Sequence, residues 1–363
     1  MDQALQNLLE LSRDPMLALE DGKISMMNAA AMAAFPDRRI GDKASGFLPE
    51  LIMSDTAESF YSTVVLRGVS YAVSALRREG VLYLSLAAEK AGAALRGCLS
   101  DSMMSGMLSA LFNIGLSADR LRAAAAAAGA KEQDYLHTLY HNYYVLNRRL
   151  GNLNALCSLR EGSMGLSLRS ADLVKLCGEL VSSVNLLLGA QCARVEFDTE
   201  LESLPASVDA PKVERLLLNL LSNSLEHTPP EGLVRLRLIK RGGSALLTVS
   251  DNGCGIPPAQ LNSVFHSFVN RLDGKTLSQG SGGGIGLALC SVIAEKHGGT
   301  LLLESREGEG TTVQVMLPLS QPGAEALRGD ASDHDHANGG MTLLLTELSE
   351  LLRSADLAPF LPD

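Results

Sequence analysis

Three polar side chains share one stripe of a predicted helix. Asn219, Asn223 and His227 stand at i, i+4 and i+8 in the run Asn219-Leu-Leu-Ser-Asn223-Ser-Leu-Glu-His227-Thr-Pro, so they line one helical face. Val213, Leu216 and Leu220 form a separate apolar stripe that suits a core. Asparagine is a poor mid-helix residue, and two of them in register beside leucines need a chemical reason. An asparagine amide oxygen is a hard ligand that suits Mg²⁺, which takes few protein ligands when phosphates supply the rest. Asp251 closes a strand-like run and opens Asp251-Asn-Gly253-Cys-Gly255-Ile256-Pro257. A carboxylate at a strand end can accept a hydrogen bond from an exocyclic amine, and the glycines let the backbone pass close to a flat base. Val264-Phe265-His266-Ser267-Phe268 is a short aromatic element. Gly280-Ser-Gly282-Gly283-Gly284-Ile285-Gly286-Leu287 then runs straight into a helical pattern. Free N–H groups and a positive dipole end at such a point suit phosphate.

The elements that must position these groups follow from periodicity. From about 166 to 320 the pattern predicts helices near 171–188, from about Pro211, and at 285–297. Strands are expected at 193–198, 233–240, 244–250, 300–305 and 311–317, the last alternating Val313, Val315 and Leu317. This is an α/β sandwich with a mixed sheet. Residues 98–160 read as a helical hairpin. Its second helix carries Leu136, Leu139, Tyr143, Leu146, Leu150, Leu153 and Leu156. That heptad-like spacing suits a pair that dimerises into a four-helix bundle. In the first 95 residues, Asp21-Gly22 marks a hairpin turn, 29–35 is helical up to Pro36, and 62–66, 69–77 and 81–87 read as strands. Residues 321–340 are a polar linker, and 341–352 fit a short amphipathic helix. The expected domains are 1–95, 96–165, 166–320 and 321–363.

Composition removes several functions. The chain has 363 residues, 31 basic against 41 acidic, and a net charge of −10. Nucleic-acid binding usually needs a basic face, so none is expected. No apolar run is long enough for a transmembrane helix, and Met1-Asp2-Gln3 opens no signal peptide. The six cysteines are scattered without a CxxC pair, which fits reduced thiols and a cytoplasmic location.

The stretch 16–35, with its strand, turn, strand, Asn28 and short helix, and the three strands after it, resemble a PAS domain. The four motifs of the C-terminal half resemble, in order, the N, G1, F and G2 boxes of Bergerat-fold ATPases, and in detail those of sensor histidine kinases. Glu307-Gly-Glu-Gly310-Thr311-Thr312 looks like the G3 element, and His297-Gly298-Gly299 is similar too. The resemblance implies an α+β multidomain chain: a PAS-like sensor domain, an antiparallel helical hairpin forming a dimeric four-helix bundle, and a Bergerat-fold α/β sandwich. It implies ATP and Mg²⁺ as cofactors, with Asp251 on the adenine amine and Asn223 holding Mg²⁺. Gly282, Gly284 and Gly286 would line the phosphates, with Arg271 and Lys275 in reach. Asn219, His227, Gly253, Gly255, Ile256, Ile285, Leu287 and Thr311 complete the implied ATP site, Asn219 and Asn223 being its catalytic pair. Asn219 stands where hydrolases of the superfamily carry a glutamate base. Glu226 stands where many members carry lysine.

The resemblance also implies a phosphoacceptor histidine followed by an acid on the first hairpin helix. Ser102 and Met103 occupy those positions, and no histidine precedes His137. A serine hydroxyl without a neighbouring base is a poor substitute nucleophile. His137 and His141, at i and i+4, read as a relocated acceptor, a metal pair, or half-exposed histidines among tyrosines; neither has an adjacent acid, which favours the last. His334 and His336 sit in the polar tail. The expected function is therefore a sensor histidine kinase homologue with a degenerate acceptor, working as a homodimer with a response regulator or partner kinase. A pseudokinase that regulates a partner without autophosphorylating is the second reading, and a phosphatase-like regulator the third.

Overall fold

The computed structural model describes residues 14–54, 59–67, 69–78, 80–88, 114, 130–161, 165–189, 192–257, 284–319 and 339–352. Strands β1 (Met16–Glu20) and β2 (Lys23–Met27) form a hairpin. Asp21 and Gly22 both have positive φ, 49° and 72°, as the Asp-Gly turn requires. Helix α1 (Ala29–Ala34) is capped by Asn28, whose Oδ1 accepts from the Ala31 and Met16 N–H groups at 2.8 and 2.9 Å. Helix α2 (Glu50–Ser54) and the meander β3 (Ser59–Leu66), β4 (Val69–Arg78) and β5 (Val81–Ala88) follow, giving the order β2-β1-β5-β4-β3.

This sheet does not end at β3. Strand β11 (Thr300–Arg306) pairs with it antiparallel, Leu302 opposite Ser62 and Leu303 opposite Tyr61. The Ser62 hydroxyl donates to the Leu301 carbonyl at 2.7 Å from a fully buried position. Ten strands thus run continuously, with β12 (Gly310–Pro318), β10 (Ser244–Asp251), β9 (Leu233–Arg241) and β7 (Arg194–Asp198) completing the order. Among the described strands only β7 and β9 pair in parallel. Sequence patterning treats the two halves as separate units; here Leu246 and Leu302 of the C-terminal half pack into the same core as Phe35 and Phe60. Two short strands, β6 (Arg169–Asp172) and β8 (Pro205–Val208), make a small second sheet that the pattern missed.

Helices α3 (Ala130–Glu161), α4 (Leu173–Leu188), α5 (Ala210–His227), α6 (Gly284–Lys296) and α7 (Gly339–Glu347) complete the described elements. Asp209 caps α5, with Pro211 in the first turn, where its missing N–H is no loss. Helix α3 buries Tyr140, Tyr144, Arg148, Asn152 and Leu156, a stripe stepping by four, against α6 and its neighbours. Of the predicted heptad, Leu156 joins that stripe, while Leu139 and Leu146 stay exposed. Helix α7 is not a free tail: Leu345, Leu348 and Leu352 join the main core. The first hairpin helix, with Ser102 and Met103, lies outside the described residues, as do residues 321–338. Among the described residues no helix is long and apolar enough to cross a membrane. No disulfide is formed among the described cysteines, and burial pushes the Cys177 thiol up to about 12, keeping it protonated and inert.

His297 fastens the start of α5. Its Nε2 accepts from the Asp209 N–H at 3.1 Å and its Nδ1 faces the Ile293 carbonyl at 2.8 Å, so the neutral Nδ1–H tautomer satisfies both. Burial holds its affinity for a proton below the ordinary histidine value. A depressed folded value means the stabilisation is complete above the unfolded pKa of about 6.5 and fades as pH falls through the folded one. Thermal midpoints of the wild type should therefore drop between pH 7 and 5 more steeply than those of His297→Gln. Parallel slopes would show that His297 carries none of the acid sensitivity.

Candidate nucleotide site

Three structural ends converge around Asp251: the C-terminus of α5, the C-terminus of β10 and the β11–β12 turn. The first turn of α6 lies against Asn219, two turns back along α5. Asp251 ends β10, half-buried, and its Oδ1 accepts from the N–H groups of Gly253 and Thr311, both at 3.1 Å. No hydrogen bond reaches its Oδ2 from the described residues. One oxygen is fixed and the other is available to a donor.

The loop after Asp251 is locked against the β11–β12 turn. Ile256 N–H donates to Ser305 Oγ at 2.8 Å, Gly308 N–H donates to the Cys254 carbonyl at 2.8 Å, and Cys254 N–H donates to the His227 carbonyl at 3.2 Å. Ser305 Oγ in turn lies 2.9 Å from the Thr311 hydroxyl. The close approach explains the glycines. A Cβ at Gly253 would overlap the His227 carbonyl oxygen, one at Gly255 the Arg306 carbonyl oxygen, and one at Gly310 the Asp251 carbonyl oxygen. These glycines act by letting backbones touch and thereby holding Asp251 in place, in addition to any approach to a ligand.

The two asparagines differ. Asn219 is fully buried. Its Nδ2 donates to the Arg215 carbonyl at 3.0 Å and to Glu347 at 3.1 Å, and its Oδ1 accepts from Asn152 at 3.0 Å. Asn223, one turn on, is half-exposed, and no hydrogen bond from the described residues engages its amide. It fits a cation ligand; Asn219 is already committed to protein partners. His227 is exposed at the end of α5. Ile256 and Ile285 pack partly buried against the main core and Leu287 is buried in it. Gly284 opens α6, and a Cβ on Gly286 would come within 2.6 Å of Asn219 Oδ1. Arg271, Lys275, Gly282 and the aromatic element 264–268 lie outside the described residues, as does the side chain of His137. His141 is half-buried on α3. Among the described residues no cluster of three or more His, Cys, Asp or Glu could hold a metal ion. Sequence reasoning missed Asn152, Arg148, Arg215 and Glu347, whose meeting depends on three separate helices.

Residues 208–321 match the family model described as histidine kinase-, DNA gyrase B- and HSP90-like ATPase. Sensor histidine kinase TmoS of Ectopseudomonas mendocina is 34% identical over 201 residues, 55% of this chain and 20% of that protein. Circadian input-output histidine kinase CikA of Synechocystis sp. is 33% identical over 210 residues, 56% of this chain and 28% of that protein. Adaptive-response sensory kinase SasA of Thermosynechococcus vestitus is 31% identical over 189 residues, 51% of this chain and 49% of that protein. A full-length ShkA structure in complex with AMPPNP aligns over 61% of this chain and 47% of that one, at 19% identity and a TM-score of 0.47. The chain therefore spans between about a fifth and half the length of these curated relatives. Residues 208–321 define an ATPase-type domain. Over and around that domain the chain is similar to sensor histidine kinases.

Proposed function

We propose that the chain binds Mg-ATP at the Asp251 site and works in phosphoryl-transfer signalling. The observation that carries this reading is the half-fixed carboxylate. Backbone donors hold Asp251 Oδ1 and leave Oδ2 for an exocyclic amine such as that of adenine. The half-exposed Asn223 amide is the residue that would hold Mg²⁺, which when bound would neutralise phosphate charge. Gly284 and Gly286 at the start of α6 would face the phosphates, where helical N–H groups are unpaired, and Gly282 of the same glycine run would join them. Arg271 and Lys275 would reach them, and Ile256, Ile285, Leu287, Thr311 and His227 would frame the nucleotide.

The rest of the chain fits a sensor assembly. The strand order β2-β1-β5-β4-β3, with α1 and α2 between β2 and β3, supports a PAS-like input domain. The exposed Leu139 and Leu146 on α3 support a homodimeric helical bundle. A cytoplasmic location and a response regulator or partner kinase belong to the same reading. A second reading is favoured by Ser102-Met103 at the acceptor position: an ATP-binding pseudokinase that controls such a partner without phosphorylating itself.

Incubation with γ-labelled ATP and Mg²⁺, followed by mapping of the label, separates the two. Label retained on His137, His141, Ser102 or another residue identifies an active kinase. Bound nucleotide without label identifies the pseudokinase. Neither binding nor label would overturn both readings.

A further inference from the structure

Charged and amide side chains from three helices meet in the interior beside the first turns of α6. Glu347, at the end of α7, is 0% exposed. Its Oε2 accepts from Arg148 Nε of α3 at 3.3 Å and from Asn219 Nδ2 of α5 at 3.1 Å. Its Oε1 accepts from Arg215 Nε of α5 at 3.1 Å. Asn152 of α3 bridges the set, donating to Asn219 Oδ1 at 3.0 Å and accepting from Arg215 Nη2 at 2.9 Å. Glu350 holds Arg148 Nη1 at 2.9 Å from the outer side and also pairs with Arg149.

The cluster adjoins the proposed phosphate region. Asn219 touches Gly286 in the first turn of α6, and Asn223 is one turn further along α5. One turn beyond Gly286, the buried Cys290 thiol feels the charges of Glu347, Arg148 and Arg215 together. A carboxylate taken fully out of water is costly even when paired. Here burial outweighs the two guanidiniums, and the Glu347 carboxyl is held above the usual carboxylate range. Take Glu347 away, and two guanidiniums and an amide N–H converge on one point. That donor set fits a phosphoryl oxygen as well as it fits a carboxylate.

We propose that Arg148, Arg215 and Asn219 Nδ2 form an anion subsite for the terminal phosphoryl group of a bound nucleoside triphosphate, and that Glu347 fills it in the nucleotide-free chain. This rests on the nucleotide reading above. The C-terminal segment is then a ligand in cis, and exchange of Glu347 for phosphate would move α7 while keeping α3, through Arg148, attached to the ATPase domain. The arginines also supply phosphate contacts in a chain that carries Glu226 where the family often has lysine.

The test uses the full chain and calorimetric titration with Mg-ATP and Mg-ADP. Glu347→Ala should bind ATP about tenfold tighter than the wild type, the scale of one charge-assisted contact freed from competition. ADP, which lacks the terminal phosphoryl group, should change less than about twofold by the same arithmetic. Adding Arg215→Ala to Glu347→Ala should erase the gain. An unchanged ATP-to-ADP ratio would overturn the subsite while leaving the nucleotide site standing; no binding of either nucleotide to any form would overturn the nucleotide reading itself. Should Glu347→Ala not fold, hydrogen exchange on the wild type decides. Amides of 339–352 should exchange faster with ATP than with ADP, and equal exchange would refute the displacement.

Discussion

Asp251→Asn should lower ATP affinity by about 100-fold, since a hydrogen bond to a charged partner contributes about 1.5–3 kcal/mol and a mismatched one adds to the loss. The substitution is informative because the amide is the same size. Its Oδ1 can still accept from Gly253 and Thr311 N–H, so the loop keeps its anchor. The second position becomes an NH₂ group, a donor facing the donor of an exocyclic amine. Binding should fall while the thermal midpoint stays within about 2 °C, corresponding to about 1 kcal/mol for a chain of this size. Equal affinities for wild type and variant would remove Asp251 from the site. A large fall in midpoint would instead make it a structural carboxylate.

Gly255→Ala should be the most damaging single methyl addition in the loop. Gly255 has φ +63°, and its Cβ would overlap the Arg306 carbonyl with no flexible side chain to move aside. Strain and displaced backbone together should cost about 3–5 kcal/mol, the range of the severest point substitutions. Gly308 is the internal control. Its φ is +80°, yet nothing lies within 4 Å of the added methyl, so Gly308→Ala should cost about 1–2 kcal/mol from backbone conformation alone. Denaturant midpoints of the two variants check the difference. Similar costs would mean that the 252–257 loop is not clamped by the β11–β12 turn.

Local structure was readable where local rules act. The Asp21-Gly22 turn, the helix start near Pro211, and the alternation of Val313, Val315 and Leu317 each specify an element through nearby residues, and those elements form. The G1 loop and the asparagine stripe were legible because the residue types are costly anywhere else. What stayed hidden depends on distant partners. Pairing of β3 with β11 rests on two residue pairs and one serine hydroxyl, 239 residues from its acceptor. Helix α3 shows one heptad-like apolar stripe in its sequence, yet the face that packs in cis carries Arg148 and Asn152, whose burial depends on partners from other helices. Glu347 reads as the polar side of a leucine-rich helix; only the arrival of Arg148 and Arg215 makes its burial tolerable. The same contact reveals that Asn219 and Asn223, equivalent in sequence, have different tasks available to them.

Equilibrium titration of the purified chain with ATP, with and without Mg²⁺, is the most direct measurement. Saturable binding strengthened by Mg²⁺, with the Mg²⁺ gain lost in Asn223→Ala and the affinity lost in Asp251→Asn, is the expected result. Absence of saturable binding, or binding indifferent to both substitutions, would contradict a nucleotide site built on Asp251 and Asn223.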